Sequence, residues 1–219
     1  MLPGNIFQNK YGSFKLPPDH VRPVTECIRA GKVHQDQVIE FCVKQLQQRR
    51  GAVVSAGSYI GDFLPAFSRA CQSKVYAFEP VLENYSYAKE NIKLNDLQNV
   101  ILQNAGLSDH FGSVSIKTTE NDIKLGGASS IQEFGNETAI LVKLDDVLDP
   151  FERIALIQLD VEGHEKEALA GASRTLSRWQ PVIVVEEWKG GEKLVLPNYT
   201  KGKKIQGDRV WMPKKKSSK

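Results

Sequence analysis

Three acidic side chains and a histidine fall within one short stretch, LDVEGHE at residues 159–165, where an apolar run gives way to a helical pattern. Carboxylates at such a position can hold a cationic ligand, bind a metal or accept a proton. An imidazole has an ordinary pKa near ~6.5, which suits a general base. We therefore take Asp160, Glu162 and His164 as catalytic candidates and assign no metal ligands. Glu165 is also explained by the favourable dipole at a helix N-terminus.

A second group of candidates follows two earlier apolar runs. Gly57 and Gly61 lie in a loop between a strand pattern and a helix pattern, where glycine permits a close backbone approach to a ligand. Glu79 ends the next strand pattern, and an acid there can accept hydrogen bonds from both hydroxyls of a ribose. The glycines do not follow the G-x-G-x-x-G spacing, which argues against NAD. The predicted cofactor-binding residues are Ala56, Gly57, Ser58, Tyr59, Gly61, Glu79, Pro80, Asn104, Ala105, Gly106 and Asp160.

The strands that must position these residues are continuously apolar and are separated by helical patterns. Strands of this type are typical of a sheet that is covered on both faces, and their alternation with helices indicates βαβ units. We predict an α/β fold with a doubly wound, mostly parallel sheet, and ligands at the carboxyl ends of its strands. The main strand candidates are Ala52–Val54, Val75–Phe78, Val100–Leu102, Ile154–Leu159 and Val182–Val185.

The remaining patterns define the organisation of the chain. Residues 1–33 are rich in Pro and Gly and predict an irregular lead-in with a short helix near Val24–Arg29. We expect a lead-in with its helix over 1–50, a single core domain over 51–198 and a basic strand or tail over 199–219. Further predicted helices are Gln37–Gln48 capped by Asp36, Asp62–Ala70, Leu82–Leu94 and Glu165–Leu176; further predicted strands are Val114–Lys117, Ala139–Leu144 and two within Lys193–Met212.

Composition limits the class of protein. The chain has 219 residues, 41% hydrophobic and 25% charged, which is a globular balance and enough for one α/β core. Its 3 cysteines form no disulfide framework or zinc pattern, which favours a reducing, cytoplasmic location. The first residues do not resemble a signal peptide, and no run of ~18 apolar residues predicts a membrane helix.

The net charge of +3 is unevenly distributed. Residues 199–219 hold 8 basic side chains and one acid, a charge of +7, so the remaining 198 residues carry −4. The basic end is either a solvated terminus or a site for an anionic partner. The acidic part contains every chemical motif described above.

Together these motifs resemble the FkbM-type methyltransferase family, a branch of the class I enzymes that use S-adenosylmethionine. The most specific match is IALIQLDVEGHE at 154–165, followed by LAGA at 169–172. The FEP triplet at 78–80 with Asn84 also fits, and the similarity extends over roughly 31–188. The resemblance implies S-adenosylmethionine as the cofactor and O-methylation of a hydroxyl on a sugar or another small molecule.

The resemblance also suggests acceptor-binding residues. Ser129 and Ser130 lie in the glycine-containing insertion that could cover the acceptor, and Glu186 follows the last buried strand. Asp160 is then the best placed acid, beside either the donor's amino group or the acceptor oxygen. The expected partner is a small-molecule or glycan acceptor, with no membrane and with nucleic acid as an open alternative because of the basic end.

The chain departs from the family pattern at its first loop. Ser55 stands where the family usually has an acid, Gln158 stands where it usually has Lys, and Tyr59 interrupts the usual G-A-N-x-G. After Glu187 no clear further helix follows, so one edge of the acceptor site is expected to be reduced or supplied by another chain. Two alternatives therefore remain: a methyltransferase that acts on RNA or protein, and a non-catalytic binding protein that has kept the fold.

Overall fold

The secondary structure follows the predicted alternation of strands and helices. The computed structural model describes residues 5–120, 123–132, 135–187 and 194–214. The strands are Ile6–Asn9 (β1), Gly12–Lys15 (β2), Ala52–Ala56 (β3), Val75–Phe78 (β4), Val100–Gln103 (β5), Gly106–Leu107 (β6), Gly112–Lys117 (β7), Thr119–Glu120 (β8), Ile123–Lys124 (β9), Ser130–Ile131 (β10), Glu137–Val142 (β11), Ile154–Leu159 (β12), Val182–Glu186 (β13), Tyr199–Ile205 (β14) and Asp208–Pro213 (β15). The helices are Pro23–Arg29 (α1), Asp36–Gln48 (α2), Leu64–Ala70 (α3), Leu82–Leu94 (α4), Leu144–Val147 (α5), Glu165–Ala170 (α6) and Ser173–Trp179 (α7).

Seven strands form the central sheet in the order β14-β15-β13-β12-β3-β4-β5. The five strands from β13 to β5 pair in parallel, and β15 pairs antiparallel with both β13 and β14. The chain runs outward from β3 to β5 on one side and from β12 to β13 on the other. The strand order therefore reverses between β3 and β12, which is where ligands bind in open α/β sheets. The predicted doubly wound, mostly parallel α/β fold is confirmed.

Both faces of the sheet are buried, as the continuously apolar strands predicted. Helices α2 and α3 cover one face, where Ile39 and Phe67 pack in the same cluster as Val53. Helices α6 and α7 cover the other face, where Leu169 packs in the same cluster as Val54. Neighbouring residues of β3 thus face opposite layers, because successive side chains of a strand point to opposite sides.

Three smaller sheets complete the fold, one of which is the two-stranded pair of β8 and β9. Strands β10, β7, β11 and β6 form a four-stranded sheet around the insertion. The lead-in, predicted as irregular, instead contains the β1–β2 hairpin. Asn91 and Asn95 of α4 hold this hairpin: their Oδ1 atoms accept hydrogen bonds from the Lys15 and Ser13 amides at 2.7 and 2.9 Å. The lead-in is therefore attached to the helix that follows Glu79.

Several predicted boundaries were wrong, among them the start of α3, which lies at Leu64 rather than Asp62. The helix predicted over Glu165–Leu176 is two helices that meet at Gly171, where a Cβ would overlap the carbonyl oxygen of Ser108. Asp36 is the first residue of α2 rather than its cap; that place is taken by Gln35 in the left-handed conformation. The strand predicted over Ala139–Leu144 ends at Val142, and Leu144 begins α5.

The basic end contains the two strands predicted within Lys193–Met212. Strands β14 and β15 form a hairpin that extends the central sheet, so residues 199–213 are built into the fold. Three of its cations surround Glu187: Arg209 donates two hydrogen bonds of 2.9 Å, and the Lys201 and Lys204 ammonium groups lie at 2.8 and 3.4 Å. Within the described residues, no helix is long and apolar enough to cross a membrane.

Candidate functional site

The first loop of the site is shaped by the close approach of two strands. Gly57 has a φ of +74°, and a Cβ there would overlap the carbonyl oxygen of Asp160. The amides of Gly57 and Ser58 donate hydrogen bonds to the Phe78 carbonyl at 3.0 and 3.1 Å. The turn thus ties β3 to β4 and presses against the residue that follows β12. Gly61, at a φ of +79°, closes the turn before α3.

Glu79 is buried at the end of β4 and is held by three donors. Its Oε2 accepts from the Tyr59 amide at 2.8 Å, and its Oε1 accepts from the Val81 amide at 3.0 Å and from the Asn84 side-chain amide at 3.3 Å. Burial raises its pKa to about 7 although these hydrogen bonds oppose the shift. A carboxylate offers about four acceptor positions, so one remains for a ligand.

A cleft of about 610 Å³ opens beside Glu79. Its wall is mainly apolar, with Phe78, Leu107 and Leu141 among its residues, and its polar side is formed by Glu79, Asp160, Glu162 and His164. A flat apolar wall with convergent carboxylates suits a ligand that carries an aromatic base, a sugar diol and a positive charge. We call this space the donor cleft. Of the predicted cofactor-binding residues, it is lined by Gly57, Tyr59, Glu79, Pro80, Gly106 and Asp160.

The other predicted cofactor-binding residues lie outside the donor cleft. Asn104 donates from its side-chain amide to the Glu79 and Pro80 carbonyls at 2.8 and 3.0 Å. Ala105 is buried beneath the wall. Asn104 therefore supports the turn that carries Glu79 rather than lining the donor cleft. Ala56 and Gly61 are also outside the lining.

A second cleft, of about 860 Å³, lies on the other side of the first loop. Arg22 and His34 line one part of it, and four acids, Asp62, Asp160, Glu162 and Glu186, line the rest. Ser58 also faces this cleft rather than the donor cleft. We call it the acceptor cleft. The two clefts border one another because both are lined by Gly57, Tyr59, Gly127, Asp160 and Glu162.

Asp160, Glu162 and Glu186 form an acidic cluster where the clefts meet. One carboxylate oxygen from each lies within 4.8 Å of the others. Burial, the nearby charge of Glu186 and a hydrogen bond with Glu186 raise the pKa of Asp160. Burial and Glu186 raise the pKa of Glu162 to about 7, while Arg22 opposes the shift. Such a cluster can hold a proton or a cation and can take a proton from a substrate hydroxyl.

His164, the third catalytic candidate, has its ring fixed by neighbours. Its Nε2 lies 3.0 Å from the Ser108 hydroxyl and its Nδ1 lies 3.6 Å from Glu167. Burial lowers its pKa, so the imidazole is neutral at pH 7. It lines the donor cleft but not the acceptor cleft. Asp160 and Glu162 therefore border both clefts, whereas His164 borders only the donor cleft.

The predicted acceptor-binding residues are separated by the structure. Glu186 lines the acceptor cleft, whereas Ser129 lines the donor cleft and donates from its hydroxyl to the Gly126 carbonyl at 2.7 Å. Ser130 pairs with Lys117 in the small sheet and lines neither cleft. The insertion therefore covers the donor cleft.

Two departures from the family pattern prove to be neighbours. Ser55 and Gln158 are paired in register on β3 and β12, and the Ser55 hydroxyl donates to Gln158 Oε1 at 2.7 Å. Both side chains are buried and line the acceptor cleft. A neutral hydrogen-bonded pair thus occupies two positions where the family pattern has an acid and a Lys. Sequence reasoning noted each residue but not their contact.

Comparison with known proteins identifies the family. The model of the Methyltransferase FkbM domain matches residues 55–197. The chain belongs to the FkbM methyltransferase family. The resemblance seen in the sequence is thereby confirmed. Membership of the family implies S-adenosylmethionine as the cofactor. The donor cleft, which is partly apolar and lined by acids, fits this cofactor.

One curated relative of this FkbM-family chain is a methyltransferase, sdnD, from Sordaria araneosa. The two sequences are 31% identical over an alignment 173 residues long, and the match covers 63% of this chain and 66% of that protein. A solved FkbM methyltransferase from Methylobacillus flagellatus is 19% identical with a TM-score of 0.47, over 63% of this chain and 32% of that one. The putative methyltransferase yhhF of Escherichia coli has the same fold, with 14% identity and a TM-score of 0.55 over 95% of this chain and 98% of that one.

Proposed function

We propose that this FkbM-family chain methylates a hydroxyl of a sugar or another small molecule, with S-adenosylmethionine as the donor. The observation that carries the proposal is the meeting of two clefts at Asp160 and Glu162. A transferase needs its two substrates in separate sites that share one reacting point. Bound S-adenosylmethionine supplies a methyl group attached to a positively charged sulfur.

The residues of the chain divide the remaining work between them. Glu79 has one acceptor position left for a ribose hydroxyl, and the apolar wall around Leu107 and Leu141 excludes water from the donor cleft. The acidic cluster favours a positive charge at the boundary of the clefts. Asp160 or Glu162, in its ionised form, takes the proton that the acceptor hydroxyl releases, which is the assistance a weak hydroxyl nucleophile needs at neutral pH.

The charge of the acceptor cleft favours a small molecule over RNA. Its four acids face one permanent cation, Arg22, because burial lowers the pKa of His34, and nucleic-acid binding requires cations along the bound strand. Three of the basic side chains in the C-terminal hairpin are already paired with Glu187. Glu187 thus neutralises part of the positive charge that suggested an anionic partner.

Calorimetry with S-adenosylmethionine tests the donor, and a screen with donor carrying a labelled methyl group tests the acceptor. We expect binding in the micromolar range, roughly 8 kcal/mol, and labelling of a hydroxylated small molecule. No binding at ~1 mM donor would refute the proposal. Labelling of RNA or protein alone would replace the small-molecule acceptor, and binding without any labelling would favour a non-catalytic protein.

A further inference from the structure

Tyr59 stands at the boundary of the two clefts. It is one of the five residues that line both, and its side chain is only 6% exposed. On one side of this boundary are Asp160 and Glu162, and on the other Tyr59 packs against Gly127, where a Cβ would lie 3.4 Å from the Tyr59 ring. The ring therefore forms one side of the opening that joins the donor cleft to the acceptor cleft.

The position of this ring is fixed from three directions. The Tyr59 amide donates to Glu79 at 2.8 Å, and the Tyr59 hydroxyl lies 2.9 Å from Nδ1 of His20 in the lead-in. The two rings stack with centroids 5.9 Å apart and an interplanar angle of 11°. A Cβ on Gly126 would lie 3.1 Å from the Tyr59 hydroxyl oxygen, so the insertion closes over the ring. These contacts hold the ring in place beside the two clefts.

The backbone of Tyr59 is also unusual. Its φ of +49° lies in the left-handed region, which costs a bulky residue about 1 kcal/mol or more and which Asn adopts more readily. An aromatic residue is kept here although a smaller one would relieve that strain. The role of Tyr59 therefore lies in its aromatic side chain rather than in the conformation of the turn.

We propose that the Tyr59 ring sets the width of the opening between the clefts and so limits the size of the group that can pass from donor to acceptor. The inference rests on the proposed function, because the two clefts must hold donor and acceptor. Tyr59 is a specificity-determining residue in this scheme and takes no proton, since burial raises the pKa of its hydroxyl further above the ordinary value. Asp160 and Glu162 lie across the opening from the ring, and Gly127 packs behind the ring.

The test compares the binding of S-adenosylmethionine with that of its analogue in which benzyl replaces the methyl group, measured by calorimetry without any acceptor. We expect the wild-type protein to bind the benzyl analogue at least ~30-fold more weakly. Tyr59→Asn should reduce this ratio about tenfold or more, and the ratio is unaffected by any weakening that the change causes for both donors alike. Tyr59→Phe, which keeps the ring, should retain the wild-type ratio.

Gly127→Ala gives the opposite change, because its methyl group would press on the ring from behind and narrow the opening, and it does not depend on how Tyr59→Asn folds. The added methyl group meets the ring at an ordinary contact distance and should raise the ratio about threefold. An unchanged ratio in both variants, or equal binding of the two donors by the wild-type protein, would overturn the inference but leave the proposed function intact. No binding of S-adenosylmethionine by the wild-type protein would overturn both.

Discussion

Buried Glu79 and a half-buried cluster of three acids lie at the same edge of the central sheet, and their carboxylates have different partners. Glu79 receives hydrogen bonds from three N–H groups of the protein. Asp160, Glu162 and Glu186 instead lie mainly against one another, with carboxylate oxygens within 4.8 Å. Glu79 is therefore a prearranged acceptor, whereas the acidic cluster is in electrostatic conflict that a proton or a cation relieves.

This difference separates binding from chemistry. Burial raises the pKa of Glu79 to about 7 as well, but its three fixed N–H donors hold the carboxylate in position to orient a ribose hydroxyl. Carboxylates that repel one another have raised affinity for protons, which suits them to accept one during a reaction. The three predictions below test that separation, beginning with the largest expected effect.

Replacing Glu79 should damage both binding and folding. We expect Glu79→Ala to weaken S-adenosylmethionine binding more than ~100-fold and to lower the free energy of unfolding by about 2–4 kcal/mol, because three buried donors lose their acceptor. Calorimetry and urea unfolding measure the two effects. Glu90→Gln, an exposed acid paired with Lys15, is the control and should change neither. Normal donor binding by Glu79→Ala would remove Glu79 from the donor site.

Replacing Asp160 should damage turnover but not folding. We expect Asp160→Asn to lower kcat about 100-fold or more, the range of general acid–base effects. Its free energy of unfolding should stay the same or rise, because repulsion with Glu186 is removed. Single-turnover methylation and urea unfolding give the comparison. Unimpaired turnover in the folded variant would exclude Asp160 as the proton acceptor.

The smallest expected effect is a pH dependence of stability. The Glu162 pKa is about 7 in the folded protein and 4.5 ordinarily, so between these values the folded state holds a proton that the unfolded state lacks. The contribution of Glu162 to the free energy of unfolding is greatest below pH ~4.5. It falls as the pH rises to ~7, by at most about 1.4 kcal/mol per pH unit. Glu162→Gln should flatten the slope measured by urea unfolding from pH 5 to 8. An identical slope would show that Glu162 does not titrate there.

Much of the fold could be predicted because β3, β4, β12 and β13 are continuously apolar and buried on both faces. Helix α4 was predicted with its observed bounds. The break between α6 and α7 at Gly171 could not be predicted, because its cause is the backbone of Ser108, which is distant in sequence. Local patterns carry no information about such contacts.

The candidate site shows the same limit. Glu79 and Asp160 were predicted from their positions at strand ends, and the structure brings both to the donor cleft. The role of Asn104 could not be read from its type, because its amide is taken by two backbone carbonyls. The contact between His20 and Tyr59 gave no sequence signal, because it depends on how the lead-in folds back over the sheet.

The C-terminal hairpin has a consequence for how copies of this protein behave in concentrated solution. Strand β14 is the last in the order of the central sheet, so its outer side offers backbone groups to which another chain could add a strand. Lys201, Lys203 and Lys204 stand exposed along this seven-residue strand, and Glu187 pairs with two of them. Lysines on an edge strand repel an identical edge and discourage such joining. The positive charge that Glu187 leaves unpaired on this strand thus opposes the joining of identical chains.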